Sequence, residues 1–439
     1  LVSNLPVPGG EVDAFMEIIA TFVPDPGGDA AAELARPPAG ATSVELRADL
    51  LDPDGDLASL IAACPVPVVL TLRSRAEGGK GPDDPTLRRR FFQRASAWPV
   101  AFFDLEAARD EVLLDDPVPR ERAILSIHFA GTPADLEEQS SAMLARGTRL
   151  VKVVPRADTL ADVLATLSLA QAFDRGERAG RRAVVFASGD AGRATRLMGP
   201  LLGAPVAYAA WSRERSAAPG QFTPGDMLAL VGHLAGRPRR VFGILGRATA
   251  GSLSPWMHAA AYRAVGLPSV FVPLEVGEEG ELDRLIGPAG ETALDDLGLA
   301  VGGYAVTMPW KEAAARRCTL LAPRAERARA ANTVLPRLDK VLGDCTDIDG
   351  ITAVLREHGV TAAGRRALVL GSGSAARAAA VALSMAGARV AVSARREESA
   401  KAAARELGLA VATPESMETA MVAVNATPAG ADGESGEIL

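Results

Sequence analysis

AILSIHFAGTPADLEEQSSAMLARGTRLVKVV, residues 123–154, opens on an apolar run (123–127), passes through a stretch of helical periodicity rich in alanine, leucine and charge (133–146), and closes on a second apolar run (150–154). Short β-branched runs joined by such a stretch spell strand, helix, strand, and two strands linked this way pair in parallel through a right-handed crossover. The same cadence extends both ways along the chain. Apolar runs recur at 18–23, 43–46, 66–72 and 100–103 before this unit and at 183–187 and 206–210 after it, with another helical stretch at 160–175. Eight strands alternating with helices over about 230 residues have the count and size of a closed (β/α)8 TIM barrel.

The polar segment GRPRR at 236–240 follows the last apolar helical stretch and precedes a new strand at Val241, so it reads as a linker. Beyond it strands and helices still alternate, but a glycine-rich turn, Leu370-Gly-Ser-Gly-Ser-Ala-Ala376, directly follows the apolar run 367–370. This predicts three domains: a barrel over 1–235, an α/β substrate domain over 241–350, and a Rossmann-type nucleotide domain over 351–439, all of class α/β. A chain of 439 residues is long enough for two or three domains.

Bulk properties exclude several function classes. Hydrophobic residues make up 48% and charged residues 23%, with no apolar run near the ~20 residues that cross a bilayer. The net charge of -7 and scattered basic residues leave no footprint for nucleic acid or an anionic membrane, while small anionic substrates need only a few focused arginines. Cys64, Cys318 and Cys345 have neither metal-ligand spacing nor an even disulfide count, so the expectation is a cytoplasmic protein without a metal. Position 1 is Leu rather than Met, which predicts that the natural start lies elsewhere.

Chemistry in a barrel of this kind sits where strands end, and unusual polar residues fall there: Glu45, Arg47, Arg73, His128, Lys152 and Arg196. Lys152, flanked by Val151, Val153 and Val154, is expected to be partly desolvated, with its pKa depressed and its amine free to attack a carbonyl. Alternatively it snorkels to solvent or pairs with a carboxylate. His128 is suited to removing a proton from the carbon that an imine acidifies, or is a hydrogen-bonded core histidine.

Glu45-Leu-Arg-Ala-Asp49, Leu72-Arg-Ser-Arg-Ala-Glu-Gly-Gly79, Ser126-Ile-His-Phe129, Val151-Lys-Val153 and Ala218-Pro-Gly-Gln221 stand in the order of the type I 3-dehydroquinate dehydratases, which residues 15–235 resemble. The resemblance implies that Lys152 forms a Schiff base with the ketone of 3-dehydroquinate, that His128 moves the proton and helps water leave, and that Glu77 orients the histidine. It further implies that Arg196 grips the substrate carboxylate while Glu45, Arg47, Arg73 and Gln221 hold hydroxyls and close the site. Where the family pattern has Ser this chain has Ala217, preceded by Ser216, so one lid hydrogen bond is missing or supplied differently. The segment Ser188-Gly189-Asp190 is a loose match after the seventh strand.

In the second half, Gly371, Gly373 and Ala376 form a G-x-G-x-x-A turn that lets backbone N–H groups and a helix N-terminus approach a pyrophosphate, or an ordinary strand–helix turn. The strand at 388–392 ends in Ser393-Ala-Arg-Arg396, where an NAD site would carry an acidic residue. Arg395 and Arg396 therefore favour the 2′-phosphate of NADP, or simply begin a solvated helix. Ser252-Leu-Ser-Pro255, Ala305-Val-Thr-Met-Pro-Trp-Lys311, Ala331-Asn-Thr333, Cys345-Thr-Asp347 and Asn425-Ala-Thr-Pro428 occur in the order found in shikimate dehydrogenases, which residues 241–439 resemble. This implies a substrate site of Ser252, Ser254, Thr307 and Asn332, a catalytic pair of Lys311 and Asp347, and an NADP(H) site drawing on Gly371, Gly373, Ala376, Arg377, Arg395, Arg396, Asn425 and Thr427. Hydride reduction of a ketone creates an alkoxide, which a cation held by a carboxylate can stabilise and protonate. Alone, Lys311 would read as a surface charge and Asp347 as a helix cap.

Ala305, Trp310 and Cys345 depart from the family pattern, and the chain ends at Leu439, ahead of the family's last helix and substrate-binding glutamine. An incomplete dehydrogenase fold is the expectation there. The resemblances together imply a bifunctional enzyme that dehydrates 3-dehydroquinate and reduces 3-dehydroshikimate to shikimate with NADPH. Its partners would be those small molecules, with no nucleic acid or membrane, and the chain could pair as a homodimer. Two alternatives are a second module that acts on quinate, and a non-catalytic metabolite sensor; a sensor would need none of Lys152, His128, Lys311 and Asp347.

Overall fold

Eight strands follow the apolar runs: β1 (Glu17–Phe22), β2 (Ser43–Arg47), β3 (Val68–Thr71), β4 (Phe102–Glu106), β5 (Ala123–Phe129), β6 (Leu150–Pro155), β7 (Ala183–Val185) and β8 (Val206–Ala210). They come from a computed structural model that describes residues 16–129, 133–175, 182–288, 290–337 and 339–429. The sheet order is β7-β6-β5-β4-β3-β2-β1-β8, and every ladder in it is parallel. Among the described residues β7 and β8 share no ladder, so the barrel is nearly closed.

The connections carry helices α1 (Ala30–Leu34), α2 (Leu57–Ala63), α3 (Pro85–Ala95), α4 (Ala107–Asp110), α5 (Pro133–Ala145), α6 (Leu160–Arg175), α7 (Arg193–Leu201) and α8 (Pro224–Val231). Local chemistry sets their starts. Asp84 accepts from the backbone N–H of Thr86 and Leu87 ahead of Pro85, and Thr223 and Asp226 form a reciprocal capping box around Pro224. Strands covered by helices on one side and by the barrel interior on the other are buried on both faces, which is why β8 reads as an apolar run and β6 as one interrupted only by Lys152. Inside the barrel, Ile19, Val69, Ile124, Leu150, Val184 and Val206 close the end away from the polar strand tips.

After β9 (Arg240–Gly246) the chain continues through α9 (Ser254–Ala264), β10 (Ser269–Glu275), α10 (Ala293–Asp296) and β11 (Val301–Val306). Two compact units result: residues 1–241 with 248–275 and 297–300, and residues 242–247 with 276–296 and 301–439. In the first unit α9 and β10 belong with the barrel. His233 Nε2 lies 2.9 Å from the Ser269 carbonyl oxygen, and Phe222 meets Trp256 at 6.5 Å between ring centroids.

The second unit adds α11 (Lys311–Arg317), β12 (Leu320–Leu321), α12 (Pro323–Ala328), β13 (Thr333–Arg337), β14 (Lys340–Asp344) and α13 (Asp347–Glu357). Its strands run β9-β11-β13-β14-β12, with β13 antiparallel to both neighbours. The chain then forms β15 (Arg366–Leu370), α14 (Ser374–Met385), β16 (Arg389–Ser393), α15 (Glu397–Leu407), β17 (Ala410–Val411), α16 (Pro414–Glu418) and β18 (Val422–Asn425), in a parallel sheet of order β17-β16-β15-β18. The order reverses between β15 and β18, so a crevice opens at their carboxyl ends, where α/β sheets take ligands.

Candidate active sites

All eight barrel residues singled out from the sequence, Glu45, Arg47, Arg73, Glu77, His128, Lys152, Arg196 and Gln221, line one cavity of about 380 Å³. Strand geometry explains the convergence. Lys152 sits opposite Ser126 in the β5–β6 register, and His128 lies two residues further along β5 on the same face. Lys152 is 2% exposed, as expected for a desolvated lysine. The source of that burial differs from the sequence reading: successive strand side chains alternate in direction, so Val151 and Val153 do not surround the amine. The barrel interior does. Nζ lies 3.1 Å from Glu45 Oε1 and 2.5 Å from Asp104 Oδ2, a doubly paired ammonium rather than one in an apolar pocket. Burial works most strongly on both carboxyl groups and would raise their pKa values, but Lys152, joined by Arg47 and Arg73 at Glu45 and by Arg73 and His128 at Asp104, holds each below its ordinary value.

A second network fixes the histidine. The 3-10 turn Arg75–Glu77, capped by Ser74, brings the Glu77 carboxylate to His128, where Oε2 accepts from the backbone N–H at 3.1 Å and lies 3.1 Å from Nδ1. Burial pushes the Glu77 carboxyl up to about 7. Burial, then Arg73 and Lys152, push the His128 imidazole well below its ordinary value. A neutral ring whose Nδ1–H is donated to Glu77 leaves the Nε2 lone pair as a base.

Three residues differ from their expected roles. Arg73 gives its guanidinium to Glu77 (3.1 Å), Asp104 (2.9 Å), Glu106 (3.2 Å) and Ser126 Oγ (3.1 Å), so it knits the carboxylates together. Arg47 is held by Asp49 through two bonds of 2.7 Å. Gln221 Oε1 accepts from Ala217 N (2.9 Å), Ala218 N (3.3 Å) and Ser216 Oγ (3.0 Å), so the neighbouring serine supplies the loop bond that Ala217 cannot. Arg196 is the contrasting case: 4% exposed, it has Nε and Nη1 buried without a hydrogen-bond partner. Burial, then Arg193, lowers its pKa, marking a cation that needs an anion.

Sequence reading missed Asp104, Glu106 and Ser126. The signal was present, because Asp104 and Glu106 interrupt the apolar strand Phe102-Phe-Asp-Leu-Glu106 two residues apart, on one face, as Glu45 interrupts its own.

In the second unit Lys311 opens α11 and Asp347 opens α13, and the two ends meet. Nζ lies 2.7 Å from Asp347 Oδ2. Asn332 joins them, donating through Nδ2 to Asp347 Oδ1 at 2.8 Å while its Oδ1 accepts from the Thr346 N–H at 2.8 Å. Trp310 is buried, with Nε1 donating to the Val276 carbonyl at 2.8 Å, and Cys345 is fully buried, so both departures from the family pattern pack into the fold. Thr307 is anchored by its N–H on the Leu245 carbonyl at 2.8 Å. In the first unit, Ser252 accepts from the Ser254 N–H at 3.2 Å at the start of α9.

The glycine turn follows β15 and ends at Gly373, the cap of α14. Gly371 has φ +121°, and a Cβ there would meet the Ala426 carbonyl oxygen at 2.8 Å, so only glycine fits without strain. Asn425 is level with Leu370 across the β15–β18 ladder and accepts from Thr427 N at 3.0 Å and Thr427 Oγ1 at 2.7 Å. Arg395 and Arg396 are exposed just past β16. Ala376 is buried. Arg377 instead turns away: 7% exposed, it pairs with Glu406 at 2.8 Å and lies 3.5 Å from Glu312. Its guanidinium is committed to carboxylates. The three cysteines are free, no described helix is long and apolar enough to cross a membrane, and no described group of three or more His, Cys, Asp or Glu could hold a metal.

Comparison with known proteins matches two parts of the chain to two families. Residues 25–236 match the family described as type I 3-dehydroquinase, and residues 244–334 match the shikimate dehydrogenase substrate binding domain. A bifunctional 3-dehydroquinate dehydratase/shikimate dehydrogenase of Arabidopsis thaliana, chloroplastic, is 29% identical over 76% of this chain. The chain spans 55% of that relative's length. A shikimate dehydrogenase (NADP(+)) of Gluconobacter oxydans is 37% identical over 45% of this chain and 69% of its own length. Among solved structures, the dehydroquinate dehydratase and shikimate dehydrogenase of S. pombe AroM is 21% identical with a TM-score of 0.40, covering 95% of this chain and 83% of that one.

Proposed function

The chain belongs to the type I 3-dehydroquinases over its barrel and to the shikimate dehydrogenases over the residues that follow, and from that premise we propose that it catalyses two consecutive steps of the shikimate pathway. The first is dehydration of 3-dehydroquinate to 3-dehydroshikimate through an imine on Lys152. The second is reduction of 3-dehydroshikimate to shikimate with NADPH. The observation that carries the dehydratase reading is the sharing of one cavity by Lys152, His128 and the unpartnered Arg196.

In this reading Arg196 takes the substrate carboxylate and orients the ketone toward Lys152. Glu45 and Asp104 relay the two protons that the nitrogen sheds to the ketone oxygen. The amine adds to the ketone carbon and the oxygen departs as water, leaving a protonated imine that acidifies the adjacent carbon. His128 takes that proton through Nε2 and returns it to the departing hydroxyl, so a second water forms, and water then hydrolyses the imine to free Lys152. Arg73 acts on the chemistry only by fixing Glu77 and Asp104, and Arg47 through Asp49.

For the reductase, the pinned turn at Gly371, the N-terminus of α14 at Gly373, Asn425 and Thr427 beside it, and the exposed Arg395 and Arg396 fit a phosphorylated dinucleotide, which supplies hydride when bound. Lys311, held by Asp347, would stabilise the oxygen that becomes the new hydroxyl and give it a proton. Thr307 and Asn332 would hold substrate. Arg377 is proposed as a structural strut rather than a cofactor ligand. Domain limits of 1–235, 241–350 and 351–439 and a cytoplasmic location complete the proposal.

Borohydride added with 3-dehydroquinate should add the reduced adduct mass to the peptide carrying Lys152. Continued dehydration with no adduct there would overturn the imine mechanism. The histidine pair makes a pH prediction. Below about pH 7 the Glu77 carboxyl takes a proton, donates to Nδ1, and moves the ring proton to Nε2, removing the base; kcat/KM for dehydration should therefore fall on the acid side near pH 7. Glu77→Gln should lower the plateau about 10- to 100-fold and shift the acid limb downward. An unshifted limb in that variant would assign it to another group.

A further inference from the structure

Two aromatic rings separate two buried cations of the barrel cavity, Lys152 and Arg196. Lys152 Nζ sits 4.3 Å from the ring centroid of Tyr208, Tyr208 meets Phe186 at 5.7 Å, and the Arg196 guanidinium lies 4.5 Å from the ring centroid of Phe186. All four residues are buried. The Tyr208 hydroxyl has no hydrogen-bond partner, although Phe would fill the same core position without that penalty. Burial, followed by the charges of Glu45 and Asp104, raises the phenol's pKa, so the ring stays neutral beside Lys152.

We propose that Tyr208 is a further catalytic residue of the dehydratase, its ring face stabilising the positive nitrogen of Lys152 through the imine stage. This rests on the imine reading above. The electron count supplies the reason: ammonium plus ketone gives protonated imine plus water, so the nitrogen keeps its positive charge but falls from three N–H bonds to one. Glu45 accepts a hydrogen bond from the ammonium at 3.1 Å and Asp104 pairs with it at 2.5 Å, and the loss of two N–H groups on condensation weakens this hold. A ring quadrupole attracts the charge without needing any N–H, so its contribution persists where the carboxylates' falls. The ring thereby favours the charged imine over the neutral carbinolamine that precedes it.

Graded fluorination tests this without changing shape. In the full chain, Phe, 4-fluoro-, 3,5-difluoro- and 3,4,5-trifluorophenylalanine are placed at position 208, and the adduct on Lys152 is timed by borohydride quench with 3-dehydroquinate. The rate of adduct formation should fall stepwise with fluorine content, by roughly 2- to 30-fold across the series, while Tm stays constant. Tyr208→Phe, which keeps the face, should retain most of the rate. A flat series overturns the proposal, and so does a loss from Tyr to Phe as large as the whole fluorine series, which would assign the effect to the hydroxyl. Absence of any adduct in the unaltered protein would instead overturn the imine mechanism itself, whereas a normal adduct with a flat series removes only the role of Tyr208.

Discussion

Lys152→Met is expected to lower the rate of 3-dehydroquinate dehydration by about 10⁴-fold or more, the scale seen when a covalent nucleophile is removed from a site that otherwise stays intact. Because Lys152 is paired on both sides, the same change should also act on stability. Removing one partner of a buried ion pair costs about 3–5 kcal/mol, and here Glu45 and Asp104 are left together without their cation. The pH dependence gives the sign. In the unaltered protein both carboxyl pKa values lie below their ordinary range, so their stabilisation is present above the ordinary carboxylate pKa and is lost as pH falls through the depressed values. In Lys152→Met, burial, the largest influence on each, is opposed mainly by Arg47 at Glu45 and by Arg73 at Asp104, and the values rise. The variant then binds protons in the folded state that the unfolded chain releases, so its stability falls as pH rises. Tm measured from pH 5 to pH 8 should show the gap between variant and parent widening with pH. A constant gap, or residual dehydration near the parental rate, would sink this account of Lys152.

Lys311→Ala should lower kcat for NADP-dependent oxidation of shikimate by about 10²- to 10⁴-fold, the contribution of a positioned acid–base group, and should leave dehydration unchanged. The geometry makes this specific. Lys311 touches Asp347, which Asn332 steadies through the other carboxylate oxygen, so deletion of the ammonium removes the proton donor without dismantling the helix ends that carry the pair. Asp347→Asn tests the support: it retains hydrogen bonding to Asn332 but no longer holds the cation, and a smaller loss in kcat is expected. Assaying both reactions on one preparation of each variant decides the matter. Loss of dehydration in a folded Lys311→Ala protein would show that the two activities are not independent.

The sequence by itself determined the eight-strand cadence, the glycine turn and which polar side chains are candidates for chemistry. Apolar runs of strand length separated by helical periods call for a parallel sheet covered by helices, and eight of them in about 230 residues match a barrel. Lys152, His128, Glu77 and Arg196 were legible as candidates that share one cavity, as were Lys311 and Asp347 as a pair from the motifs around them. Only the tertiary structure decided what each group is paired with. Asp104 is 48 residues from Lys152 in sequence yet 2.5 Å away in space, because adjacent positions in a parallel barrel come from strands far apart in the chain. Desolvation of Lys152 could be anticipated, but not from its immediate neighbours: Val151 and Val153 point elsewhere, Val154 lines the same cavity, and the barrel interior buries the amine. The same cause redirects Arg73, Arg47 and Arg377 from expected ligand contacts to carboxylates, since a charged side chain's partner is set by which elements the fold brings within ~4 Å, a distance that carries no trace in the order of residues.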